Sequence, residues 1–274
     1  PPVYHPFAWV TPRNERTLVT NPLKWENGMY RMDLDTFREQ IKGCKLFILC
    51  NPHNPGGVVW TEAELRAIAD ICYDEKVLVF SDEIHADLTL PPHTHRPFAT
   101  VSEKARMNSV TFMSPSKAFN MPGLSASHAL IFNEDLRKRF RIYMDAGELD
   151  MGHVFAFLSV EAAYSHGTEW LDQCLAYIQG NIDFVDEFLK KHAPKIKAIR
   201  PEASYLVWLD CRELELSQKD LNEFFVDKAH LALNDGEMFG KEGIGFMRLN
   251  VASPRCIIEK AMKQLADAYQ LYIK

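Results

Sequence analysis

Short, strongly apolar runs alternating with helical patterns constrain this chain most. Residues 45–50 (Lys-Leu-Phe-Ile-Leu-Cys) and 77–81 (Val-Leu-Val-Phe-Ser) are strand-sized and nearly continuous in apolar side chains, the pattern of strands covered on both faces. Between them lies Thr61-Glu62-Ala63-Glu64. This is a capping box, in which hydroxyl and carboxylate satisfy each other's free backbone N–H groups. It opens a helix with Leu65, Ile68, Ala69 and Cys72 on its apolar positions. Residues 109–113 and 129–132 read as two further strands and 134–144 as a helix. Buried strands alternating with helices predict an α/β fold with a mostly parallel sheet covered on both faces.

The last third changes texture. Residues 154–165 and 170–191 carry long helical patterns. Short strand patterns follow at 198–199, 205–210 and 245–251, with a helix opened by Ser217. Ser253-Pro254 starts a terminal helix, Ser as N-cap and Pro at the first helical position. The sequence therefore divides into a large domain, 1–172, and a smaller C-terminal α+β domain, 173–274.

Composition excludes several classes of function. The 274 residues are 47% hydrophobic and 25% charged, with a net charge of −6, which argues against nucleic-acid or anionic-membrane partners. No apolar run approaches the roughly 18 residues of a spanning helix. Cysteines at 44, 50, 72, 174, 211 and 256 form no CxxC pair, so neither a metal knuckle nor a redox motif is expected, and a reducing cytoplasmic location is. The chain starts Pro-Pro-Val-Tyr without Met or a signal-like pattern, and reads as beginning part-way through a longer sequence. A P-loop and a GxGxxG fingerprint are absent, and Gly123-Leu124-Ser125-Ala126-Ser127 lacks the last Gly of a hydrolase elbow. His93-Thr94-His95 reads as an exposed polar loop rather than a metal ligand pair.

Three signals follow predicted buried strands, where open α/β sheets build their sites. Asn51-Pro52-His53-Asn54-Pro55-Gly56-Gly57 is either a tight loop or a turn that presents the Asn54 amide to a ligand. In Ser81-Asp82-Glu83-Ile84-His85, Asp82 either caps the next turn or awaits a cationic partner such as a protonated heterocyclic nitrogen. In Ser114-Pro115-Ser116-Lys117-Ala118-Phe119-Asn120, Lys117 is either a surface lysine or a partly desolvated, nucleophilic amine. The three together match the needs of pyridoxal 5′-phosphate (PLP): a lysine for a Schiff base and an acid that keeps the pyridine nitrogen protonated.

The motifs NPxNPxG, SDEIH, SPSKxFNxPGL and FMRLNVASPR resemble the PLP-dependent class I/II aminotransferase superfamily, of the aspartate aminotransferase fold (fold type I). DEIH and SKAFN resemble its cystathionine β-lyase/cystalysin branch in particular, and the resemblance runs the length of the chain. It implies that Lys117 binds the cofactor covalently and shuttles the Cα proton. Asp82 would pair with the ring nitrogen, Asn54 with the phenolic oxygen, and His85 would lie near that oxygen. Ser114 and Ser116 would contact the phosphate. Tyr4 would stack on the ring, and Arg248 would clamp the substrate carboxylate, a bidentate task that lysine performs poorly. Ser125 stands where many relatives carry a phosphate-binding Arg, a departure the β-lyase branch shares. Relatives also carry a segment before the Tyr4 motif, so the resemblance implies an N-terminally truncated sequence. The implied activity is PLP-dependent α,β-elimination from cystathionine- or cysteine-like amino acids by a homodimer. Transamination is the alternative within the family, and a non-catalytic regulatory module or inactive fragment the alternative outside it.

Overall fold

A computed structural model describes residues 1–149 and 151–272. Its strands, in chain order, are β1 (Lys24–Glu26), β2 (Met29–Arg31), β3 (Leu46–Cys50), β4 (Leu78–Asp82), β5 (Ser109–Met113), β6 (His128–Leu130), β7 (Lys197–Ile199), β8 (Leu206–Asp210), β9 (Asn234–Asp235) and β10 (Phe246–Asn250). Packing gathers the chain into two compact units. The first holds Leu34–Pro52 and Val59–Cys174; the second holds Pro1–Asp33, His53–Val58 and the chain from Leu175 onward.

The first unit is built on the sheet β3-β4-β5-β6. β3, β4 and β5 run parallel, and β6 returns antiparallel with Met113 opposite His128. The capping box at Thr61 forms as the sequence predicts and opens the helix Glu62–Asp74. That helix buries Leu65, Ile68, Ala69, Ile71 and Cys72. At about 1.5–3 kcal/mol for each large aliphatic side chain, burial outweighs the cap's ~1 kcal/mol as the reason the helix docks. The fourth strand starts one residue and ends two residues earlier than its apolar pattern suggests, because the antiparallel register with β5 ends at Thr111 opposite Leu130. Ile131 and Phe132 instead lead to Asn133, whose side chain caps the helix Glu134–Ala146. The parallel register places Cys50 beside Asp82, and Asp82 beside Phe112. Asn51, Asp82 and Ser114 thus emerge at the same, C-terminal edge of the sheet.

The second unit is built on the antiparallel sheet β7-β8-β10-β9. Trp208 and Phe246 stack with centroids 5.3 Å apart, and Tyr30 and Phe239 complete a buried aromatic cluster. The terminal helix Arg255–Tyr272 covers the core with Ile258, Met262, Leu265, Ala268 and Tyr269 at helical spacing. The His53–Val58 segment belongs here for a local reason. The carbonyl of Gly57 accepts from the N–H groups of Glu202 and Ala203. Gly57 itself, at φ +68°, lies so close to Pro201 that a Cβ would sit 2.5 Å from the Pro201 Cβ. Each of the six cysteines is free. Among the described residues no helix is long and apolar enough to cross a membrane.

Candidate active site

The expected site residues fall into two groups, one in each unit. In the first, β4 delivers Asp82. Its Oδ1 accepts the Ile84 N–H at 3.2 Å, and it makes no ion pair among the described residues. Part of Asp82 reaches solvent, yet burial of its carboxyl pushes the pKa from 3.8 up to about 6. The negative charge of Glu83 adds to that rise, whereas the Ile84 N–H and Lys117 oppose it. Lys117 stands half-buried on the short helix Pro115–Ala118 directly after β5. Ser114 caps this helix by accepting the Ser116 N–H at 3.1 Å. The Ser114 and Ser116 hydroxyls lie against each other, and both oxygens lie within reach of the Ala126 carbonyl, at 2.6 and 3.3 Å, so their two hydrogens are shared among these contacts. His85, buried, opens the single turn Ala86–Leu88.

In the second unit, β10 delivers Arg248. Residues 246 and 248 share one face of the strand, and the guanidinium lies over the Phe239 ring, 4.6 Å from its centroid. Nη1 donates to Asn54 Oδ1 at 2.9 Å and Nη2 to Asn234 Oδ1 at 2.8 Å. Arginine carries only donors, which fixes the orientation of both amides. Arg248 has no acidic partner among the described residues, and its Nε is buried without a hydrogen bond. Burial lowers its pKa, with Tyr205 and Tyr4 opposing. The Tyr4 segment is anchored beside this arginine by the Val3 N–H, which donates to the carbonyl of Phe239 at 2.9 Å. His53 is neutral: burial pulls its pKa down to about 3. It ties the loop holding Asn54 to the N-terminal segment, with Nε2 2.9 Å from the Pro2 carbonyl and Nδ1 accepting the Gly56 N–H.

The family model for aminotransferase class I and II matches residues 1–265. The chain belongs to this family. It is similar to cystathionine beta-lyase PatB of Bacillus subtilis, 38% identical over 270 residues that make up 98% of this chain and 70% of that protein. Cystalysin from Treponema denticola, solved with pyridoxal 5′-phosphate, aligns at TM-score 0.94 and 34% identity over 100% of this chain and 70% of its own. A PLP-bound protein of Clostridium difficile aligns at TM-score 0.95 and 40% identity over 98% of this chain and 70% of its own. The fold is therefore that of fold type I PLP-dependent enzymes.

The class I/II family uses PLP, and the side chains present fit it. A carboxylate whose burial favours its protonated form gains most from a cationic N–H, which a pyridinium ring offers. Two neighbouring hydroxyls suit a phosphate, and an arginine held by neutral oxygens keeps its full charge for a carboxylate.

Sequence reasoning missed two features and misjudged one. Asn234 was not singled out, although it lies directly opposite Arg248 in the β9–β10 register. Glu83 was read only as part of a motif; its side chain is fully buried. His93 and Thr94 are exposed as expected, but His95 is not a surface residue. Its side chain is 9% exposed and bonds Glu83 through Nε2 at 2.7 Å, because a buried carboxylate needs a donor that this loop supplies.

Proposed function

We propose that the chain is a PLP-dependent carbon–sulfur β-lyase that eliminates a thiol from cystathionine- or cysteine-like amino acids. The observation that carries this is the combination of 38% identity to a cystathionine beta-lyase with a half-buried Lys117 directly after β5, the strand that pairs with the one carrying Asp82. When bound, the cofactor supplies a conjugated pyridinium ring that accepts the electron pair left by a breaking Cα–H bond. Lys117 Nζ would hold the cofactor and take the Cα proton. Asp82 holds the ring nitrogen in its protonated form. Asn54 and His85 would hold the phenolic oxygen, and Ser114 and Ser116 the phosphate. Tyr4 would hold the ring, and Arg248 would orient the substrate through its carboxylate. The Cα–H and Cβ–S bonds break, the thiol leaves with the sulfur electron pair and a proton, and water converts the remaining three-carbon fragment to pyruvate and ammonia.

In this reading residues 1–172, apart from Pro1–Asp33 and His53–Val58, which pack in the second unit, form the cofactor-binding domain and 173–274 the smaller one, and the enzyme acts in the cytoplasm. It is a homodimer. The helix Val154–His166 supports the last point: Val154, Phe155, Phe157 and Leu158 in its first two turns are more than half exposed. Sedimentation at the mass of a single chain would overturn that part. The central test is pyruvate release from cystathionine with PLP and no oxo-acid. Release supports the lyase; strict dependence on 2-oxoglutarate without pyruvate makes the protein an aminotransferase instead. Borohydride reduction followed by peptide mapping is expected to label Lys117.

A further inference from the structure

Glu83 is a buried carboxylate that the proposed reaction does not use. Its side chain has no solvent exposure, and both oxygens are engaged. Oε1 accepts from Ser81 Oγ at 2.8 Å and from the Phe98 N–H at 2.8 Å; Oε2 meets His95 Nε2 at 2.7 Å. The Glu83 N–H donates to the carbonyl of Phe112 at 2.8 Å, so pairing with β5 continues one residue beyond Asp82. Side chains alternate along an extended strand. Ser81 and Glu83 therefore lie on one face and Asp82 on the other. Holding residues 81 and 83 fixes the backbone on both sides of Asp82 and decides which way its carboxyl faces.

The network also acts through charge. Glu83 and Lys117 are the charged groups that act on Asp82, and they act in opposite directions. Facing Glu83 itself, the titratable group is His95, whose Nδ1 is buried without a partner among the described residues. How strongly Asp82 feels Glu83 thus depends on the donors that His95 and Ser81 supply.

We infer that Ser81, Glu83 and His95 form a positioning network that aims the Asp82 carboxyl toward a ring nitrogen and sets the charge behind it. The inference rests on the cofactor reading for its purpose, not for its electrostatics. Removing the charge of Glu83 lets Asp82 ionise more readily, which lowers its midpoint. Removing His95 leaves the charge of Glu83 less screened, which raises it. A merely structural role gives a different pattern: either variant would loosen the packing, admit water and lower the midpoint.

The test follows the carboxyl carbon of Asp82 by NMR during pH titration of the cofactor-free protein, with the signal assigned by its loss in Asp82→Asn. The wild-type midpoint is expected near 6, with Glu83→Gln below it and His95→Leu above it. Ser81→Ala also takes a donor from Glu83 and is expected to shift upward, which keeps the test decisive if His95→Leu does not fold. Downward shifts in all variants, or no shift in any, overturn the network's role. PLP uptake by the wild type, followed by visible absorbance, is scored separately. Failure of uptake counts against the cofactor reading, while opposite shifts in the titration still support the network.

Discussion

Arg248 is held by two neutral amide oxygens, and making one of them anionic tests its role directly. Asn234 lies opposite Arg248 in the β9–β10 register, with Oδ1 2.8 Å from Nη2. Asn234→Asp preserves the shape and places a negative charge against the guanidinium. Unit charges about 4 Å apart interact by roughly 4 kcal/mol at an effective dielectric of about 20, and by ~1 kcal/mol in bulk water. Residue 234 is exposed and Arg248 half-buried, so an intermediate value of about 1–2 kcal/mol applies once solvent screening is included. A substrate carboxylate must then share the guanidinium with the new charge. Loss of that energy corresponds to a rise in KM of about 5- to 30-fold. The change in kcat is expected to be smaller, because the proton-transferring groups are untouched. The folded protein gains an ion pair, so its Tm is expected to hold or rise. The assay is pyruvate release coupled to lactate dehydrogenase over a range of substrate concentrations, with calorimetry on the same preparations. An unchanged KM would refute the reasoning, as would a fall in kcat together with Tm.

Three further outcomes follow from the same geometry. Lys117→Ala is expected to abolish both turnover and the visible band of the cofactor-loaded protein, read by absorbance, while leaving the Tm of the cofactor-free protein within about 2 °C, the effect of less than ~1 kcal/mol. Asp82→Asn is expected to stabilise the cofactor-free protein above pH 6. The folded pKa is raised from 3.8 to about 6, so this carboxyl's contribution is present in full below about pH 4 and is lost as pH rises through that window. The loss is about 2–3 kcal/mol. Urea titrations at pH 8 and near pH 4 should show the gain of Asp82→Asn at the first pH and none at the second. Gly57→Ala is expected to cost about 1–3 kcal/mol, read by urea titration, because its positive φ and the nearby Pro201 leave no room for a Cβ.

Much of the first unit was legible in the sequence. The strands β3, β4 and β5, the capping box at Thr61 and the helix it opens depend on neighbours a few residues away, so local pattern suffices to place them. The edge that carries Asp82 and the Lys117 motif follows from a parallel sheet. The hairpin β1–β2 was not legible, since Lys24–Glu26 and Met29–Arg31 are too short for a clear period of two. Nor was the grouping of His53–Val58 with the chain beyond Leu175, which depends on the approach of Gly57 to Pro201.

The sequence by itself determined the kinds of group available: a lysine directly after Ser-Pro-Ser, an acid at a strand end, an amide in a proline-rich turn and an arginine in the last strand. The tertiary structure decided what each of them touches. Arg248 meets Asn54 across 194 residues and Asn234 across 14, and Glu83 meets His95 across 12. Strand register and loop packing select such partners. One-dimensional pattern carries no record of them, because a hydrogen bond depends on where two segments arrive in space and not on the residues between them.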